Sequence, residues 1–386
     1  MKVTVIGLGF VGFPLLKELN NAGHESVGID ISKEKIDSLT SQQELGDIAF
    51  ATNLDVAKNS DVFVLALPTP IDSQNTPDLT SLSETCDFLG DFLQEHQLVI
   101  VESTYSVGTT RNLLLPLLGK KIGTQSVKLV YSPERINPGD PVWNLKNTPK
   151  LVAAEDDFSK LKMQEVYGEV FNELVFVESY EIAESAKLLE NIYRYININF
   201  INEFQQNCEA LGLDSSKVIA AASTKPFGFQ AFLPSLGIGG HCIPIAPHHF
   251  MDSLNKHRVS NGFIDYGNEI NQGHLFQVIE KIERDYLNLT GKRILVAGVT
   301  YKPGVPDTRE SPAVGLINHL RERGVQVSWY DPLVSSLNGE NRAPITTEAD
   351  LALICVEQPD YVVAEISANF DMVLDISSGL DIRRLK

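Results

Sequence analysis

Four cysteines, Cys86, Cys208, Cys242 and Cys355, are spread over a chain of 386 residues. Three lie within apolar helical or strand patterns and read as small buried side chains. Cys242 differs: it stands in 237-GIGGHCIPIAPHH-249, with glycines before it and Pro244 and Pro247 after it. A loop of that composition exposes backbone and fixes direction, which suits a thiolate aimed at a ligand. A zinc site drawn from His241, Cys242, His248 and His249 matches no common ligand spacing, and no second cysteine is near, so no metal is expected. The lack of any CxxC favours free thiols in a reducing cytoplasm over a disulfide framework.

A second constellation opens the chain. Gly7-Leu8-Gly9-Phe10-Val11-Gly12 follows the apolar run VTVIG and leads into a helical pattern. In that context Gly7 permits a tight turn, Gly9 lets backbone approach a pyrophosphate, and Gly12 lets helix and strand pack closely. The helix N-terminus then offers its free N–H groups to phosphate. Asp30 ends the next apolar run, where a carboxylate accepts from ribose hydroxyls and repels a 2′-phosphate. The expected cofactor is NAD.

These residues need a scaffold. VTVIG (3–7), SVGID (26–30), DVFVLAL (61–67), LVIVES (98–103) and KLVYS (128–132) alternate with helical segments, the mark of a parallel, doubly wound sheet. A stretch without Pro or Gly, 181–211, repeats its apolar residues at helical spacing and reads as a long spine. A Gly/Pro-rich loop runs from about 225 to 247, and a helical region follows to about 289. Alternation then restarts with RILVAG (293–298), VQVSWYD (325–331), DLALICV (350–356) and DMVLD (371–375). The predicted class is α/β: two Rossmann-like doubly wound domains joined by a long helix and a helical linker. The expected domains are 1–180 (NAD-binding), 181–289 (helical linker with the cysteine loop) and 290–386 (a second α/β domain). VIGLGF…GID and LVAGVT…WYDP read as an internal echo, each a strand, glycine turn, helix and strand ending in Asp. The formal net charge of −18 argues against a nucleic-acid or anionic-membrane partner, and no apolar run is long enough to span a bilayer.

Taken together the motifs resemble the UDP-glucose/GDP-mannose dehydrogenases, the nucleotide-sugar 6-dehydrogenases. The resemblance covers nearly the whole chain. It rests on VIGLGFVG, LPTP (67–70), ESTYSVGTT (102–110), SPERINPGD (132–140), AKLLENIYRYININFINE (186–203), GIGGHCIP (237–244) and GVTYKPGVPDTRESP (298–312), in that order. SPERINPGD, TKPFGF (224–229) and GGHCIP are most like the branch acting on UDP-N-acetylhexosamines. The resemblance implies a homodimer and a four-electron oxidation of a sugar C6 alcohol with two NAD, for a surface-polysaccharide precursor.

It also implies roles. Cys242 would capture the aldehyde covalently. Lys187 and Asn191, four residues apart on one helix face, would stabilise the oxyanion and assist proton transfer. Glu134 matches an acid/base carboxylate, and Thr104 a hydroxyl near the reacting water. Pro68, Thr69 and Thr104 join Phe10, Val11 and the glycines in holding NAD. Arg135, Ile136, Lys225, Gly239, Gly240, Lys302 and Arg309 join Glu134, Lys187 and Asn191 around the substrate, with Arg309 reaching a pyrophosphate or sugar oxygen.

The chain departs from the pattern in three places. Ala246 stands where an aspartate four residues after the cysteine helps order the lysine and the hydrolytic water; His248 or Glu134 are the candidates to replace it. Val107 stands where proline is usual. The span between Asp30 and DVFVLAL is short. Two alternatives therefore stand beside the first reading: a UDP-glucose enzyme, and an impaired member that binds nucleotide sugar but turns over poorly. A 2-hydroxyacid dehydrogenase would leave the cysteine loop and the C-terminal domain without a role.

Overall fold

The computed structural model describes residues 1–42, 45–137, 140, 142–255 and 257–386. Pro138 and Gly139 of the SPERINPGD stretch lie outside the described residues. The chain divides into two compact units, Met1–Glu190 with His248–Ser260, and Asn191–Pro247 with Asn261–Lys386.

In the first unit one sheet contains β1 (Lys2–Ile6), β2 (Glu25–Ile29), β3 (Ala49–Ala51), β4 (Val62–Leu65), β5 (Leu98–Val101), β6 (Lys128–Tyr131), β7 (Lys150–Ala154) and β8 (Leu174–Val177). Their order is β3-β2-β1-β4-β5-β6-β7-β8. The central strands β4 and β5 are buried along their whole length, which is why they read as continuous apolar runs rather than alternating ones. Helices α1 (Gly12–Asn21), α2 (Lys33–Thr40) and α5 (Asp157–Tyr167) supply one core, and α3 (Thr80–Gly90) with α4 (Leu115–Leu118) the other. The order reverses between β1 and β4, the place where such sheets hold ligands beyond their carboxyl ends.

The sequence pattern indicates five parallel strands here; the structure adds β3, β7 and β8, and β7 runs antiparallel to β6. The reason lies in residues 132–149, whose described residues form no helix. A parallel return needs a long crossover, whereas an antiparallel one does not. The reversal sets the first residue of β7, Lys150, just beyond the carboxyl end of β6.

α6 (Tyr180–Ala210) begins in the first unit and continues into the second. With no Pro or Gly it runs unbroken for roughly 46 Å at 1.5 Å per residue. The second unit continues with α7 (Ser215–Ala222), the cysteine loop, α8 (Ala246–Asn255, whose later turns belong to the first unit) and α9 (Gly262–Asp285). Its sheet is built from β9 (Arg293–Ala297), β10 (Gln326–Tyr330), β13 (Leu351–Ile354), β14 (Val373–Asp375) and β15 (Arg383–Arg384) in the order β10-β9-β13-β14-β15. A small hairpin, β11 (Ser336–Leu337) and β12 (Glu340–Asn341), follows β10. α9 and α10 (Pro312–Glu322) pack over one face, and α11 (Asp360–Asn369) over the other. Among the described residues no helix is long and apolar enough to cross a membrane.

Candidate active site

In the first unit the candidate residues follow the carboxyl ends of neighbouring strands: Gly7 to Gly12 after β1, Asp30 after β2, Pro68 and Thr69 after β4, Thr104 after β5, and Glu134 to Ile136 after β6. Gly7 takes φ +93°, open to glycine and strained for other residues. A Cβ on Gly12 would lie 1.9 Å from the Gly7 carbonyl oxygen, whereas one on Gly9 would meet nothing within 4 Å. The turn is therefore closed toward the sheet and open where a phosphate would approach. No side chain caps α1 and no acid stands in its first turn, so no carboxylate offsets the positive end of the helix dipole there.

Asp30 sits beside this turn. Its Oδ2 accepts from Leu8 N at 3.0 Å and Lys35 Nζ at 2.8 Å, and its Oδ1 from Ser32 N at 3.0 Å. Burial works against its charge, but Lys35 and the N–H groups outweigh it and hold the carboxyl below its ordinary range. The glycine cradle, the uncapped helix and the ionised aspartate fit NAD.

The two loops after β4 and β5 are tied together. Thr69 Oγ1 donates to the Thr104 carbonyl at 2.5 Å, and Ser103 Oγ to the Leu67 carbonyl at 2.7 Å. Buried His249, on α8, meets the Thr69 carbonyl through Nε2 at 3.1 Å. Val107 N donates to Ser253 Oγ at 2.7 Å. A proline at 107 would have no N–H for that bond, so this departure has a local partner.

α6 is anchored where it starts. Glu184 accepts from Gly108 N at 2.6 Å, Thr110 N at 2.9 Å and Thr110 Oγ1 at 2.6 Å. Arg111 forks between Glu155 and Glu181. The next turns carry Lys187 and Asn191, both largely buried and on one face. Glu134 is buried too. Its Oε1 accepts from the backbone N–H groups of Arg135 and Ile136, both at 2.7 Å, and its Oε2 from Lys150 Nζ at 3.0 Å. The Arg135 guanidinium is turned to Glu190 at 2.7 Å and to the Pro149 carbonyl at 2.9 Å.

In the second unit, Asn202 of α6 accepts from Ser235 N at 3.0 Å, and His274 Nε2 meets the Ser235 carbonyl at 2.9 Å. Asn271 accepts from Ile238 N at 3.0 Å. Gly240 N then donates to the Arg309 carbonyl at 3.1 Å. A Cβ on Gly239 would strike the Glu310 carbonyl at 2.8 Å, and one on Gly240 the Tyr301 ring at 2.9 Å. Glycines at 239 and 240 thus let the cysteine loop lie directly on the loop that carries Tyr301, Lys302 and Arg309. Cys242 is exposed, whereas Cys86, Cys208 and Cys355 are buried; burial pushes the Cys86 thiol up to about 12.

Beside Cys242, His241 Nδ1 lies 2.9 Å from Arg309 Nη2 and 3.3 Å from Asp307 Oδ2. Arg309 also grips Asp307 at 2.6 Å. The hydrogen bond to Cys242 raises the His241 pKa; burial and Arg309 oppose it, while the charges of Cys242 and Asp307 assist. Lys225 is exposed on its loop, its ammonium 5.0 Å from the Phe227 ring centroid. Among the described residues no cluster of His, Cys, Asp and Glu is arranged to hold a metal.

The NAD binding domain of the UDP-glucose/GDP-mannose dehydrogenase family matches residues 1–46 and 41–171, its central domain 181–273, and its UDP binding domain 295–382. The chain belongs to the UDP-glucose/GDP-mannose dehydrogenase family. A UDP-N-acetyl-D-glucosamine 6-dehydrogenase of Pseudomonas aeruginosa is 31% identical over 370 residues, 90% of this chain and 86% of that one. A UDP-N-acetyl-D-mannosamine dehydrogenase of Methanococcus vannielii is 30% identical, covering 88% and 81%. The solved UDP-D-ManNAc dehydrogenase of Pyrococcus horikoshii superposes with a TM-score of 0.85 at 25% identity, covering 98% of this chain and 96% of that one. Within the family the chain resembles the UDP-N-acetylhexosamine branch. It is an NAD-dependent UDP-sugar 6-dehydrogenase.

Sequence reasoning missed neighbours of the candidate residues in each unit. Asp307 and Tyr301 flank motif residues already singled out, and the spacing of Asp307 to Arg309 was the available signal. Lys150 carried none: a lysine at a strand start reads as a solvated end.

Proposed function

We propose that this dehydrogenase oxidises the C6 alcohol of a UDP-N-acetylhexosamine, UDP-GlcNAc or UDP-ManNAc, to the uronate through Cys242. The observation that carries the reading is the contrast among the thiols: Cys242 alone is exposed, on a glycine loop pinned at Ser235, Ile238 and Gly240. NAD, when bound, accepts hydride from C6. The chain's residues do the rest. Loss of the first hydride and the hydroxyl proton leaves an aldehyde. The Cys242 thiolate attacks it to give a thiohemiacetal, whose C6 loses the second hydride and becomes a thioester. Water attacks the thioester, the C–S bond breaks, and the carboxylate leaves with Cys242 regenerated.

Lys187 and Asn191 would steady the developing oxyanions, and Glu134 with Thr104 would orient the proton acceptor and the water. Arg309 and Lys302 would hold the pyrophosphate, with Gly239 and Gly240 giving backbone approach. The division 1–180, 181–289 and 290–386, a homodimer, a cytoplasmic setting and a polysaccharide precursor as product belong to the same proposal.

One observation favours a second reading. Ala246 is buried at the first turn of α8 and its side chain can hydrogen-bond to nothing. Such a chain could form the thioester and release it poorly.

NADH formed per sugar, measured with UDP-GlcNAc, UDP-ManNAc and UDP-glucose, separates the readings. Two NADH per sugar in steady turnover, lost in Cys242→Ser, supports the four-electron route. A burst of two per active site that stalls supports the impaired member. Turnover with UDP-glucose alone overturns the substrate assignment.

A further inference from the structure

Behind Glu134 lies a cluster of charged side chains that the proposed reaction does not use. Lys150 is fully buried. Its ammonium bonds to Glu102 Oε2, to Glu134 Oε2 at 3.0 Å and to the Pro133 carbonyl at 3.3 Å. The Phe171 ring lies 5.1 Å from it. Glu102, at the carboxyl end of β5, is buried as well and accepts from Tyr167 Oη of α5 at 2.6 Å. Two carboxylates thus share one ammonium out of reach of water. A buried charge is tolerated only when paired and hydrogen-bonded.

The geometry at Glu134 shows what the second pairing does. Both of its oxygens are occupied by donors: two backbone N–H groups on Oε1 and the Lys150 ammonium on Oε2. Every one of these bonds is to the ionised form. We propose that Lys150, too buried to touch substrate, is a positioning residue for Glu134, holding it aimed and favouring its carboxylate form. The inference rests on the reading of Glu134 as a site residue and refines it: Glu134 acts as a fixed anion and acceptor rather than as a reservoir of protons.

Titration behaviour agrees. Burial opposes the Glu134 charge, but Lys150 and the N–H groups overcome it and hold its pKa below the ordinary value. Burial pushes Glu102 up to about 7, with Lys150 lowering it and Glu134 raising it. Glu102 is therefore the member of the cluster that takes a proton first. The charged and titratable groups around Glu134 in this unit are Lys150 of β7, Glu102 of β5, Tyr167 of α5 and the Arg135 guanidinium, which is paired with Glu190.

The test is the pH profile of kcat and KM for three full-length variants. Lys150→Met is expected to lower kcat about 10- to 100-fold with both KM values within about threefold. Its acidic limb should move up by about 1–3 pH units, because the ammonium that favours the charged carboxylate is gone. Should two unpaired carboxylates prevent folding, Lys150→Met with Glu102→Gln keeps the cluster's net charge and serves instead, with the same shift expected. A folded double variant with the wild-type limb and kcat overturns the inference. Glu134→Gln separates the two failures. If it is inactive while the double variant keeps its limb, only the role of Lys150 falls. If it turns over like the wild type, the reading of Glu134 fails and the inference with it.

Discussion

β1 and β9 end alike. Each is followed by a glycine with positive φ, +93° at Gly7 and +86° at Gly298. Each glycine N–H donates to the last residue of the neighbouring strand, the Ile29 and Tyr330 carbonyls, both at 2.8 Å. Each neighbouring strand is followed by an aspartate that accepts from the residue after the glycine: Leu8 N to Asp30 at 3.0 Å, Val299 N to Asp331 at 2.8 Å. From there they diverge. After β1 the helix starts at Gly12, hard against the Gly7 carbonyl, so backbone N–H groups are what the turn presents. After β9 the chain wanders from 298 to 311 before α10 begins, and what it presents is side chains: Tyr301, Lys302, Asp307 and Arg309. One frame thus carries two kinds of turn, and their length decides whether backbone or side chains face outward. The short turn sets a helix terminus at the strand end; the long one sets side chains there, the Arg309 guanidinium among them.

Four predictions break or sharpen the comparison. The largest effect is expected from Gly12→Ala, whose methyl must displace the Gly7 carbonyl. NAD affinity should fall by up to about 150-fold, in keeping with the roughly 1–3 kcal/mol of overpacking, while UDP binding measured by calorimetry is unchanged. Unaltered NAD affinity would break the account of the short turn. Next, Arg309→Lys should raise the nucleotide-sugar KM by about 10- to 100-fold and leave the NAD KM alone, because an ammonium cannot reproduce a fork. If lysine serves as well, the long turn supplies only charge. Third, Asp30→Asn should weaken NAD about tenfold and narrow its preference over NADP, whereas Asp331→Asn should lower Tm without touching NAD affinity. Equal behaviour of the two variants would erase the distinction between the halves.

The smallest effect is one of pH, and it belongs to the first unit. The folded-state pKa of Glu102 is raised from 4.5 to about 7, so between those values the native chain keeps a proton that the unfolded chain has lost. This contribution is present below about pH 4.5 and is lost as pH rises to about 7. Glu102→Gln should flatten the fall in Tm over that window, read by thermal melts at matched ionic strength.

The elements that local pattern specifies were legible in one dimension. The turn at Gly7–Gly12, the acid at Asp30, the unbroken α6 and the restart of alternation at β9 each depend on neighbours a few residues away. The echo between the two strand–turn–strand frames belongs with them, and so does the singularity of Cys242. What sequence could not convey is the company each residue keeps. Lys150 meets Glu102 and Glu134 only because β7 turns back antiparallel beside β6, and nothing local to KLVAA says so. Asp307 and Arg309 meet His241 across a long stretch of chain because Gly239 and Gly240 let two loops touch. The sequence by itself determined the cofactor turn, the helical spine and which thiol stands out, since those follow from backbone geometry and periodicity. Only the tertiary structure decided which charges are buried together, since pairing across strands and loops is set by packing, and it is that pairing which sets the ionisation of Glu134.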